Sequence, residues 1–134
     1  MKFSKATFVL VLPLLIILGG CGAYRSAVTF PSANDVFVTT GDGDIQKPYT
    51  PVGELIYIKV GSRIPFPILG LIPINDAIPE GILQSEIVPK VKKMGGDALI
   101  NMQIDWKPPK GGILGFLGFG SGGSVYIKGT VIKR

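Results

Sequence analysis

The chain of 134 residues has one cysteine, Cys21, and no histidine. That combination removes the commonest general base, and with it the serine–histidine and cysteine–histidine nucleophile pairs. It also leaves no thiolate or imidazole set for a soft metal beyond Cys21 itself. The remaining reactive groups are carboxylates, lysines and hydroxyls. Asp97 and Lys93 are spaced to pair, but an aspartate just after a helix end serves better by accepting nearby backbone N–H groups. Glu80 and Glu86 lie six apart, which does not bring two helical carboxylates together. Gly41-Asp42-Gly43-Asp44 begins like a calcium loop, yet the later ligand positions of such a loop are missing, so it reads as a turn. The glycine-rich residues 111–123 lack the lysine–serine/threonine ending of a phosphate loop. The expectation is a protein that is not an enzyme and carries no cofactor and no metal.

The one residue with a definite chemical prospect is Cys21, and the elements before it say why. Lys2 and Lys5 give a short positive start, and residues 6–18 are almost wholly apolar. Thirteen helical residues span roughly 20 Å, short of the ~30 Å hydrocarbon core of a bilayer, and Pro13 interrupts the run. A positive start, a short apolar stretch and small residues form a cleaved secretory signal rather than a permanent span. An exported protein that uses cysteines normally pairs them, so a lone thiol there is best consumed chemically.

Leu18-Gly19-Gly20-Cys21 resembles the lipobox of bacterial lipoproteins: an aliphatic residue, two small residues, then cysteine. The resemblance implies a diacylglycerol on the Cys21 sulfur, cleavage before Cys21 and acylation of the new amine. Two or three acyl chains hold a protein firmly where one does not. Gly22 follows the cysteine where, in the sorting rule of enteric bacteria, aspartate retains a lipoprotein in the inner membrane. The expected location is the cell envelope, at the outer membrane if the source is Gram-negative.

Removing residues 1–20 leaves 114 residues, enough for one modest core. Both leader lysines go with the signal, so a net charge of +5 falls to +3. The remaining basic residues are scattered except Lys90, Lys92 and Lys93, which is no nucleic-acid stripe. A solvated helix end, or weak attraction to anionic headgroups, uses that charge more naturally. The expected division is a signal over 1–20, then the lipidated cysteine, a tether and a possible edge strand over 21–52. An α+β domain follows over 53–134.

Residues 22–35 are small and polar enough for a tether, and Val36–Thr40 suits a short edge strand. Residues 53–60 read as a strand in which Leu55, Tyr57 and Lys59 alternate with Ile56, Ile58 and Val60. Over residues 76–94, Ile78, Ile82, Leu83, Ile87, Val91 and Met94 recur at helical spacing, with Asp76 as N-cap and Gly95 as C-cap residue. Pro89 should kink that helix or split it. Ala98, Ile100, Met102, Ile104 and Trp106 then alternate with Asn101, Gln103 and Asp105, predicting a strand with one buried face. Residues 124–132 give the last strand, with Val125, Ile127 and Val131 opposite Tyr126, Lys128 and Thr130. The fold class is α+β: a small β-α-β-β sheet with one kinked or split helix on one face.

From Gly53 to the C-terminus the chain resembles a group of small bacterial domains that includes the YbjQ-like proteins and RcsF-like envelope-stress lipoproteins. The carriers are Gly53-Glu54, Lys93-Met94-Gly95-Gly96-Asp97-Ala98-Leu99-Ile100, and Gly129-Thr130-Val131. The resemblance implies the fold, and for some members ring-like assembly, heavy-metal binding or stress sensing. This chain departs from the metal-binding and disulfide-using members, since it has no histidine and its single cysteine belongs to the lipobox.

Two stretches expected to be loops are unusually apolar. Residues 64–74 contain Phe66, Ile68, Leu69 and Leu71, and residues 112–120 contain Ile113, Leu114, Phe116, Leu117 and Phe119. Loops are ordinarily polar because they face water. If the strands before them run parallel, both stretches leave from one end of the sheet and can form a single apolar patch, a usual mark of a contact surface. They can equally fold back on the core or pair as a hairpin. The functional expectation is a membrane-anchored interaction lipoprotein, with an envelope protein or a sister subunit as partner and no nucleic acid. The alternative is a lipoprotein whose loops enclose an apolar pocket for a small ligand.

Overall fold

In a computed structural model, the residues described are 25–43, 45, 48–64, 72–110 and 122–134. Cys21 and all nine apolar residues named in the two loops lie outside them. The elements are β1 (Phe37–Val38), β2 (Thr50–Val60), β3 (Ser62–Arg63), β4 (Pro73–Asn75), a π-helical turn (Leu83–Ile87), α1 (Val88–Lys93), β5 (Ala98–Lys107) and β6 (Ser124–Lys133). The fold is a small α+β one, with the expected order of strand, split helix, strand, strand. The chain forms two compact units.

The larger unit takes its described residues from 26–59, 78–107 and 124–134. Its sheet has the order β1-β5-β6-β2, so β1 and β2 are the edges. β5 and β6 are antiparallel from Ala98↔Ile132 to Lys107↔Ser124, as a hairpin requires. The short strand expected within Val36–Thr40 is β1, which runs parallel to β5 through Phe37↔Ala98 and Val38↔Leu99.

The alternation expected along β5 is broken by a bulge. Ile100 pairs with Thr130, but the next pair is Gln103↔Lys128, and Asn101 sits between them at φ 52°. Asparagine tolerates this left-handed conformation better than most residues. Partners across an antiparallel ladder point to the same face, so the extra residue shifts the phase of the strand. Leu99, not Ala98 or Ile100, therefore shares a face with Met102, Ile104 and Trp106. Ala98 and Ile100 turn to the other face, where they are buried with Ile132 against Phe37 and Ile45. The sheet thus has a core on each side at this end. The backbone accepts the bulge because Asn101 N–H donates to Gly41 O at 2.8 Å and Met102 N–H to Thr39 O at 3.0 Å.

The helical layer covers the face of Leu99, Met102, Val125, Ile127 and Val131, all buried, and itself buries Ile82, Leu83, Ile87, Val88 and Val91. The contact is close: a β-carbon on Gly96 would meet Val131 Cγ1 at 2.3 Å and Val91 Cγ1 at 3.4 Å. The helix is split, as Pro89 predicted. A π-helical turn precedes a six-residue α-helix with Pro89 in its first turn, where a missing N–H is harmless. It ends in a Schellman motif: Gly95 at φ 86° donates to Lys92 O and Gly96 to Val91 O. Asp76 does not cap this helix, which begins only at Ile82 after the turn at Glu80-Gly81. Its carboxylate is occupied by Arg63 instead.

Within the stretch expected to be a tether, Thr29 O accepts from Gln84 Nε2 at 3.0 Å and Asp35 pairs with Lys92. Val36, next along, is fully buried. No helix among the described residues is long and apolar enough to cross a membrane.

Candidate functional site: the loop stems and the β2–α1 cleft

The described residues of the smaller unit are Arg25, 60–64, 72–77, 108–110 and 122–123. They include the roots of the apolar stretches. Residues 64–74 were expected to be a loop, with pairing as a hairpin among the alternatives, and the ends of that stretch are a hairpin stem. Ser62 pairs with Asn75 and Arg63 with Pro73, and Ile64 N–H donates to Ile72 O at 3.2 Å. The stem is clamped by a bidentate ion pair, Arg63 Nε to Asp76 Oδ1 at 2.7 Å and Nη2 to Oδ2 at 2.5 Å. Both side chains are largely withdrawn from water, at 6% and 14% exposure. Such a fork-to-fork geometry fixes direction as well as distance.

The second apolar stretch leaves and returns through the end of another hairpin, where Lys107 pairs with Ser124. Just before β6 its backbone meets the first stem. Gly61 N–H donates to Gly123 O at 2.9 Å, and Ala77 N–H donates to Gly122 O at 2.8 Å. The approach is so tight that a β-carbon on Gly61 would lie 2.0 Å from Gly122 O. The entry to the first stretch, its exit and the exit of the second are therefore bonded together. At the exit of the first stretch, Ile72 and Ile74 stay exposed.

The larger unit has a cleft of its own between β2 and α1. It measures about 370 Å³ and is lined by Leu55, Ile56, Lys90, Lys93 and Met94. Leu55 is buried and Tyr57 and Lys59 half-buried toward α1, while Ile56, Ile58 and Val60 point the other way and are exposed. The more apolar row of the strand is thus the one facing water. Lys90 Nζ lies 2.7 Å from Glu86 Oε2, one helical turn away, and 5.0 Å from the Tyr57 ring centre. The hydrogen bond and charge of Lys90, aided by Lys59, hold the Glu86 carboxyl below its usual range. Burial pushes the Tyr57 phenol up, with Glu86 adding to the rise and Lys90 opposing it. Asp97, expected to accept N–H groups near the helix end, accepts instead from a residue 37 positions along: Arg134 N–H donates to its Oδ1 at 2.9 Å.

Among the described residues there is no group of three or more histidine, cysteine, aspartate or glutamate side chains placed to hold a metal. No protein-family model matches the chain, and neither a curated protein nor a solved structure matches it significantly. Neither the Arg63–Asp76 clamp nor the β2–α1 cleft is among the features expected from the sequence. The clamp joins residues 13 apart, a spacing with no local signature. The cleft was foreshadowed only by the lysine cluster of residues 90–93.

Proposed function

We propose that this chain is a lipoprotein of the cell envelope, anchored through lipid on Cys21. Its two apolar segments, including Phe66, Ile68, Leu69, Leu71, Ile113, Leu114, Phe116, Leu117 and Phe119, act together as one contact surface for an envelope protein or a sister subunit. The location is the outer membrane if the source is Gram-negative, and stress sensing is one role such a module serves. No catalytic step is assigned.

The observation that supports a joint surface is the backbone junction of Gly61, Ala77, Gly122 and Gly123, which ties the roots of both segments together. The anchoring half rests on Leu18-Gly19-Gly20-Cys21 behind an apolar leader. The alternative, a small-ligand pocket enclosed by the loops, gains nothing from the cleft, whose lining comes from β2, α1 and Met94.

The two halves are tested separately. Cells fed an alkyne-tagged fatty acid should label the wild-type chain and not Cys21→Ser; equal labelling refutes the anchor. Changing Phe116, Leu117 and Phe119 to serine should abolish co-purification or self-assembly while the circular dichroism spectrum is kept. Assembly that survives all three changes refutes the contact surface.

A further inference from the structure

We infer that the β2–α1 cleft binds an anionic phospholipid of the membrane surface, with its phosphate at Lys90 and Lys93 and the start of an acyl chain over Leu55 and Met94.

The lining has two chemistries in one place. Leu55 and Met94 supply apolar surface, and Lys90 and Lys93 supply two ammonium groups. At about 370 Å³ the cleft falls in the ~300–1,000 Å³ range of ligand-holding clefts. The charges around it are unequal. Lys90 is shared with Glu86, while Lys93 makes no ion pair among the described residues. Lys59 adds a further positive charge near Glu86. Three lysines thus stand against one carboxylate, an excess that attracts a phosphate. Glu54 lies on the opposite face of β2 from Leu55 and does not offset it.

The apolar floor argues against a bare phosphate ion, which gains nothing from Leu55 and Met94. The openness of the cleft argues against a free fatty acid, whose long chain would stay largely in water. A phospholipid resolves both, because the rest of its chains remain in the bilayer. Met94, at 36% exposure, puts apolar surface at the rim, where headgroup and acyl regions meet. This deepens the membrane reading above: Cys21 would tether the protein, and the cleft would orient it.

Met94 offers a direct probe, since its methyl group lies at the cleft beside Gly53 while Met102 is buried in the core. The full chain, labelled with ¹³C-methyl methionine, is placed in phosphatidylcholine bicelles containing increasing phosphatidylglycerol. The Met94 signal should shift saturably while Met102 stays fixed. Lys90→Gln with Lys93→Gln should weaken the response about 25-fold, at about fivefold per lysine near an anionic surface. The thermal midpoint should fall only slightly, as the loss of the exposed Glu86–Lys90 pair allows. A still Met94 signal overturns the inference, as does an undiminished response in the double variant. An equal response to inorganic phosphate, or to laurate in free solution, overturns it in favour of a soluble ligand. Mass spectrometry of the same sample reports acylation at Cys21, so failure of the anchor and failure of the cleft are read independently.

Discussion

Gly61 and Gly122 meet backbone to backbone: a β-carbon on Gly122 would lie 2.0 Å from the carbonyl carbon of Gly61 and 2.1 Å from the nitrogen of Ser62. No rotamer relieves such a contact, because main chain stands on both sides. The pair holds together the roots of the two apolar segments, so its loss reaches the proposed contact surface as well as stability.

Gly61→Ala and Gly122→Ala should each destabilise the protein by about 1–3 kcal/mol, as overpacking does. Thermal unfolding monitored by circular dichroism checks this. A midpoint within a degree of wild type for both variants would show that the backbones can part without cost.

The Arg63–Asp76 clamp should behave as a withdrawn ion pair. Arg63→Met alone leaves the Asp76 carboxylate without its fork of donors and should cost about 3–5 kcal/mol. The double change Arg63→Met with Asp76→Leu should cost clearly less, because it removes both charges together. Urea midpoints of the four members of the cycle give the coupling; simple additivity would refute it.

At the β5 bulge, Asn101→Gly should preserve or slightly raise stability, since glycine reaches φ 52° freely. Asn101→Val should lower it by about 1–2 kcal/mol, the penalty of a branched side chain in the left-handed region. Deleting Asn101 should be worse than either, because Ala98 and Ile100 would change faces with respect to the rest of the strand. Equal stability of the valine and glycine variants would sink the account.

The Glu86–Lys90 pair sets a pH dependence with a definite sign. The folded carboxyl titrates below its unfolded value. Its stabilising contribution is therefore present above the unfolded pKa and is lost as pH falls through the folded one. Lys90→Gln should raise the Glu86 pKa toward the ordinary range, read from its side-chain ¹³C carboxyl shift by NMR titration. An unmoved titration curve would mean that the pair does not form in solution.

Much of the fold was legible because its signals are local. Pro89 announced a split helix, Gly95 its end, and Val125, Ile127 and Val131 the inward row of β6. What escaped were features that local patterns do not encode. The β5 bulge preserves an alternating sequence while reversing which side its first residues face, so periodicity alone places Ala98 and Ile100 wrongly. The β3–β4 stem is two residues against three, contains Pro73, and is too short to show any period. Asp76 looked like a cap because aspartate suits that position, and only its distant partner Arg63 reassigns it. Of the site, Cys21 and the apolar segments were prominent by composition, whereas the cleft depends on β2 and α1 coming together across 34 residues or more of sequence.

The junction of Gly61, Ala77 and Gly122 also bears on how this protein can change over generations. With the roots bonded to each other, the intervening lengths are free of the requirement to bridge a distance. Closing a flexible loop costs only about 0.6 kcal/mol more for each doubling of its length. Insertions, deletions and wholesale replacement between residues 65 and 71, or between 111 and 121, should therefore be accepted far more readily than a single added methyl group at Gly61 or Gly122. The junction should therefore tolerate change least, and relatives of this chain should keep glycine at positions 61 and 122.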